Sequence, residues 1–405
     1  MSFRPGFQTH GRTRRGPWLA LACLLSFVLC AEAGATARDQ ARRLHDRIAG
    51  VPPSAAVLDT MESDILGGNA LAAAQLAMDN SAFYNVTLKN FVTPWTNEDQ
   101  TVFAPLNDYT ATVIGMIRDD VPFDQVLSAD LLYVGKPSLG LPAYSMTDNA
   151  HYQAMEDQGI DLKTGLTDAR QSTMTTLPAT ATAGVLTTRA AAQAFFIAGT
   201  NRAMFRFTMM NYLCTDLEPI KDTTRPPDRI RQDVSRSPGG DSRIFLNACI
   251  GCHAGMDPMA QAFAYYDYDE TAGRIDYNGI GTVDPDTGSR VQGKYLINSD
   301  NFKYGYVTTD DHWDNYWRSG PNAALGWDTA LPGSGDGAKS LGTELAHSEA
   351  FAQCQAKKVF KAMCLRTPVD AADRNEVSAL STSLKTHNYS MKRIFSEAAV
   401  YCMGN

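Results

Sequence analysis

Cys249, Cys252 and His253 lie in the run Cys249-Ile250-Gly251-Cys252-His253. Two thiols two residues apart, followed at once by an imidazole, form the attachment pattern of c-type haem. The spacing has a mechanical reason. The thiols add across the two vinyl groups of one porphyrin, and the next residue brings an imidazole to the iron as proximal ligand. A zinc ribbon would need a second Cys/His pair at short range, and none is near. A thioredoxin-type redox pair would need a strand before it and a helix after it within a βαβ unit, which is not evident here. The run therefore predicts one covalent haem c, held by Cys249 and Cys252, with His253 on the iron. The other ring nitrogen of His253 is expected to donate to a backbone carbonyl.

Other side chains are candidates for a supporting role. Asp257-Pro258 reads as a helix start, the aspartate accepting backbone N–H groups and the proline fixing the first turn. Catalysis by Asp257 at the haem edge is the alternative. Arg202 and Arg206 are candidates for the haem propionates, because guanidinium forks match carboxylates; plain solvent exposure is the other reading. For a sixth iron ligand the candidates are His312, in an aromatic loop with Trp313, Tyr316 and Trp317, and Met209 or Met210 on the helix before the motif. Met256 and Met259 follow His253 too closely to reach the opposite face easily. His45, His151, His347 and His387 lie where nothing calls for a ligand. A thioether raises the potential and a second imidazole lowers it.

Haem c is attached after export, and residues 1–35 read as a secretory leader. Arg4, Arg12, Arg14 and Arg15 form a basic start, Trp18 to Leu29 is apolar, and Ala31-Glu32-Ala33 and Ala33-Gly34-Ala35 are small-x-small cleavage patterns. Arg14-Arg15 hints at the twin-arginine route, although attachment to an unfolded chain favours the general secretory one. No later run is long and apolar enough to span a bilayer. The chain has 405 residues and a formal net charge of -8. Its first 35 residues carry four arginines and one glutamate, +3, so the remainder carries -8 - 3 = -11. That balance disfavours nucleic acid and anionic membrane surfaces, and it suits a basic redox partner in the cell envelope. Of the eight cysteines, Cys23 and Cys30 fall in the leader and two belong to the haem motif. Cys214, Cys354, Cys364 and Cys402 remain, an even number in an oxidising compartment. They form two disulfides with three possible connectivities, or stay as buried thiols. Cys364 and Cys402 each end a predicted helix, so antiparallel packing would join them and leave Cys214 with Cys354.

The surrounding elements are mainly helical, with 44% hydrophobic residues to build a core. Residues 36–135 form an N-terminal helical region. Leu44 and Ile48, then Val57, Met61 and Ile65, recur at helical spacing, with Pro52-Pro53 between two helices. Ala70 to Met78 is alanine-rich, and Asn107 caps a helix through Ile117. Residues 136–182 lack periodicity and read as an irregular connection. Residues 183–272 hold the haem motif, with Pro258 opening a helix through Ala264. Residues 273–335 form a β-hairpin and loop insertion, in which Asp284-Pro285-Asp286-Thr287-Gly288 marks a turn between short strands. That turn lacks the closing glutamate of a calcium loop. Residues 336–405 form a C-terminal helical module, broken at Pro368, with helices through Leu384 and from Met391 to Cys402.

The stretch Cys249 to Met259, with Tyr266-Asp267 ending the next helix, resembles the haem segment of the planctomycete-type cytochrome c family. Gly184-Val185-Leu186-Thr187, and Asn211-Tyr212-Leu213-Cys214, are similar to that family's segment before the haem. Ser348 to Cys354, Lys357 to Phe360, Arg366-Thr367-Pro368 and Asp373 resemble its C-terminal helical module. The match is weaker around Pro52-Pro53-Ser54, and Ala260-Gln261 departs from the family's usual Gly-Phe. The resemblance implies a multi-helix haem-c protein with flanking helical modules and a redox role.

Two functions follow as expectations. The first is an exported monohaem c-type cytochrome that transfers electrons in the periplasm. The second is a haem-dependent oxidoreductase or peroxidase-like enzyme subunit with an open iron site. A single Cys-x-x-Cys-His run disfavours a dihaem peroxidase.

Overall fold

A computed structural model describes residues 35–196, 200–232, 243, 245–297, 299–300 and 303–404. The expected leader lies outside the described residues, apart from its last position. The described residues are mainly helical, with three separate two-stranded antiparallel sheets among them.

Three helices open the described chain: α1 Ala37–Ala49, α2 Ala55–Leu66 and α3 Ala70–Met78. Each boundary has a local cause. Thr36 and Asp39 form a capping box at the start of α1. Gly50 ends α1 with φ 72°, a left-handed turn that a side chain would resist. Pro52-Pro53 lies between α1 and α2, and Ser54 caps α2 by accepting from Val57 N–H. A π-helical segment, Phe83–Leu88, then leads to α4, Asp108–Arg118, capped by Asn107 as its side chain predicts.

The chain's two ends form one bundle. The C-terminal helices are α9 Gly337–Ala346, α10 Glu349–Cys364, α11 Ala371–Thr386 and α12 Met391–Tyr401. Helices α10, α11 and α12 pack on one another, and α12 also packs on α1 and α3. Phe395 of α12 meets Phe83 and Phe91 edge-on, with ring centroids 5.4 and 5.3 Å apart. Cys364 pairs with Cys402 and Cys214 with Cys354, as the helix ends predict, across Cα separations of 5.3 and 5.2 Å.

The middle of the chain supplies the site. Helix α5, Ala150–Asp157, and the pair β1 Leu132–Gly135 with β2 Leu166–Ala169 occupy a region expected to be helical and then irregular. Leu132-Tyr133-Val134-Gly135 is buried throughout, and four residues are too few to show a period. Tyr152, Met155, Leu162 and Leu166 belong to the main core, so 136–182 is built structure rather than a loose connection. Next come α6 Arg189–Phe195, α7 Arg202–Tyr212 and α8 Ile250–Ala260. The hairpin β3 Tyr266–Asp269 with β4 Arg274–Tyr277 follows, and β5 His312–Asp314 pairs with β6 Ser334–Asp336. The turn at Asp284 forms, but no strands flank it; the Asp284 carboxylate accepts the N–H groups of Asp286, Thr287 and Gly293.

Candidate functional site

Helix α8 carries Cys252 and His253, and Cys249 stands immediately before it as the N-cap, so one continuous helical segment positions the two thiols and the imidazole. A five-residue π turn, Phe245–Cys249, leads into it. The expected helix start at Pro258 is wrong. Pro258 lies inside α8, whose hydrogen-bonded turns begin eight residues earlier at Ile250. It follows that Asp257 is not an N-cap.

The burial of α8 is uneven in an informative way. Every residue from Ile250 to Ala260 is buried except Cys252 and His253, and Cys249 just before them is half-buried too. Positions i, i+3 and i+4 share one helix face, so the three chemistry-bearing residues form the helix's one accessible strip. Both thiols are free of disulfides. Burial pushes the Cys252 thiol up, against the pull of nearby Lys221. Ile230, Phe245, Ile250 and Ala254 make a small apolar cluster beside Cys249.

Neighbouring segments hold α8 in place. The chain after α7 runs along it: Asp222 N–H donates to the Gly251 carbonyl at 2.9 Å, and the Cys252 thiol lies 3.7 Å from the Leu217 carbonyl. On another side Gly255 lets the fully buried Trp317 indole lie directly on the helix backbone, where any Cβ would collide with it.

His253 is held by a carboxylate, not by the expected backbone carbonyl. Its Nδ1 lies 3.0 Å from Asp257 Oδ1. Asp257 is fully buried, and Arg202 grips it with a fork of two bonds, Nε to Oδ1 at 2.7 Å and Nη2 to Oδ2 at 2.8 Å. The backbone N–H of Arg231 approaches Oδ2 at 3.4 Å. Burial alone would raise the Asp257 carboxyl, but Arg202, His253 and Arg231 outweigh it and hold the group well below the usual carboxylate range. The spacing of His253 and Asp257, one helical turn apart, is the sequence signal that would have revealed the pair.

The remaining candidates are placed elsewhere. Arg202 is committed to Asp257, and Arg206 forms its own fork on Asp216 at 2.7 and 2.7 Å, so both guanidiniums expected at propionates already hold protein carboxylates. Met209 is fully buried in the main core, and Met210 packs against that core from its edge. His312 sits between acids, with Nδ1 2.9 Å from Asp336 Oδ1 and Nε2 3.8 Å from Asp314 Oδ2. Among the described residues, no group of three or more His, Cys, Asp or Glu side chains gathers to hold a metal ion. Two thiols and one imidazole on adjoining positions are the donor set that a haem c, which brings its own equatorial nitrogens, would use. The residues present fit haem c on that chemistry and on their shared accessibility. No helix among the described residues is long and apolar enough to cross a membrane.

Compared with known proteins, the chain matches no family model, no curated protein and no solved structure.

Proposed function

We propose that this chain binds one haem c covalently and transfers electrons in the cell envelope of a bacterium, exchanging them with a redox partner protein. The observation that carries the reading is the accessible strip of Cys249, Cys252 and His253 on a helix that is otherwise buried. Haem supplies one-electron chemistry when bound. The chain's own residues do the rest. Cys249 and Cys252, three positions apart, are both half-buried and free of disulfides. His253 presents an imidazole beside them, with its Nδ1 already occupied by Asp257. The anchored backbone of α8 keeps the three in register. The resemblance of the motif and its flanks to the planctomycete-type cytochrome c family supports the same role.

A specific observation favours the second reading, an oxidoreductase with an open iron site. The three residues expected to offer a sixth ligand are engaged elsewhere, Met209 and Met210 with the main core and His312 with Asp336. The optical spectrum of the reduced protein, produced with haem-attachment machinery, separates the two. A low-spin spectrum indifferent to carbon monoxide and cyanide is the expected result. A high-spin spectrum that shifts with either ligand would replace the carrier with the enzyme.

A further inference from the structure

The buried Asp257 has no task in attaching haem, yet it is the most tightly held carboxylate near the motif. It receives the Arg202 fork on both oxygens, the Arg231 backbone N–H and the ring of His253. An ionised carboxylate can only accept hydrogen bonds. The nitrogen facing it must then donate, so the proton of the His253 ring sits on Nδ1 and the lone pair is left on Nε2. A partner of this kind fixes the tautomer and orientation of a metal-bound histidine and raises its strength as a donor.

We propose that Asp257 is a positioning residue for the iron ligand, and that Arg202 tunes it. Asp257 holds His253 as the Nδ1–H tautomer and draws electron density onto Nε2, which stabilises the more oxidised iron and lowers the potential. Arg202 keeps the carboxylate in place and moderates its pull. Helix α7 thereby influences the iron through Asp257. The inference rests on the haem-c reading above.

A purely structural ion pair would give α8 the same contacts but would leave the iron's potential alone. The test therefore reads the iron. The holoprotein is made by export with haem-attachment machinery, and its midpoint potential is measured for the parent, Asp257→Asn and Arg202→Gln. Asp257→Asn weakens the acceptor, and its potential rises. Arg202→Gln frees the carboxylate from its counterion, and its potential falls. Shifts of opposite sign separate tuning from general loosening. Equal potentials in all three, or shifts of the same sign, overturn the proposal. If only one variant folds, its own sign decides in the same way. Nitrogen NMR of His253 in the reduced, low-spin parent gives a result that depends on no variant. A protonated Nδ1 whose resonance is displaced by a strong hydrogen bond supports the proposal, and the shift of an Nδ1–H without such a bond, or of an unprotonated Nδ1, overturns it. A parent that carries no covalent haem would sink the haem reading itself, a result distinct from all of these.

Discussion

Two carboxylates show how single residues decide the behaviour of this chain. Asp257 is buried with Arg202, and breaking a buried pair by deleting one partner is far costlier than its net worth. Asp257→Ala leaves the Arg202 guanidinium without its carboxylate, and the expected cost is about 3–5 kcal/mol. Denaturant unfolding checks it; a loss below about 1 kcal/mol would mean that solvent reaches the pair. Asp373 makes the second case. Its buried carboxylate accepts from Arg366, from Val369 N–H at 3.0 Å and from the Tyr401 hydroxyl at 3.0 Å. These bonds, led by Arg366, hold it below the ordinary aspartate value of 3.8. A carboxyl depressed in the folded state binds fewer protons there than in the unfolded chain, so its stabilisation is complete above that ordinary value and drains away as the pH falls below it. Stability measured from about pH 5 down to about pH 2 is expected to fall less steeply in Asp373→Asn than in the parent. Parallel curves would contradict that assignment. The haem motif was legible because its chemistry is confined to five adjacent residues. The role of Asp257 was not, because Asp-Pro is a common helix start and only the observed run of α8 through Pro258 puts the carboxylate under His253.

At the scale of elements, α8 depends on what it is pressed against. At Gly255 the Trp317 indole lies on the helix backbone, and a methyl group there meets the ring at Nε1. Overpacking of this kind costs about 1–3 kcal/mol. Gly255→Ala is expected to lower the unfolding midpoint and to reduce the yield of haem-loaded protein; unchanged values for both would show that Trp317 moves aside freely. Helix boundaries set by local signals could be read from sequence: Pro52-Pro53, the Asn107 cap and the alanine run of α3. The pair β1 and β2 could not. Its strands are four residues each and join segments more than thirty positions apart, so no local pattern announces them.

The whole molecule is tied together by contacts that span the chain. The main core draws residues from Ala41 to Ala399, and the N- and C-terminal helices share a bundle rather than forming two modules. That arrangement was invisible in the sequence, since both ends read as ordinary amphipathic helices with nothing to say which faces meet. The disulfides were legible, because four cysteines remained and two of them ended neighbouring helices. Cys214–Cys354 closes 140 positions and Cys364–Cys402 closes 38. Each bond is expected to stabilise by about 2–4 kcal/mol, the longer loop by more. Replacing the Cys214 and Cys354 pair with serine should therefore cost more than replacing Cys364 and Cys402, and equal or reversed losses would contradict the loop-entropy account. The central claim, that α8 is built to hold haem c, is tested most directly by intact mass after export with haem-attachment machinery. The account predicts the mature chain plus one haem, retained in denaturant, and bare chain for the double variant Cys249→Ala, Cys252→Ala. A parent protein that emerges without covalent haem, or a double variant that keeps it, would contradict the claim.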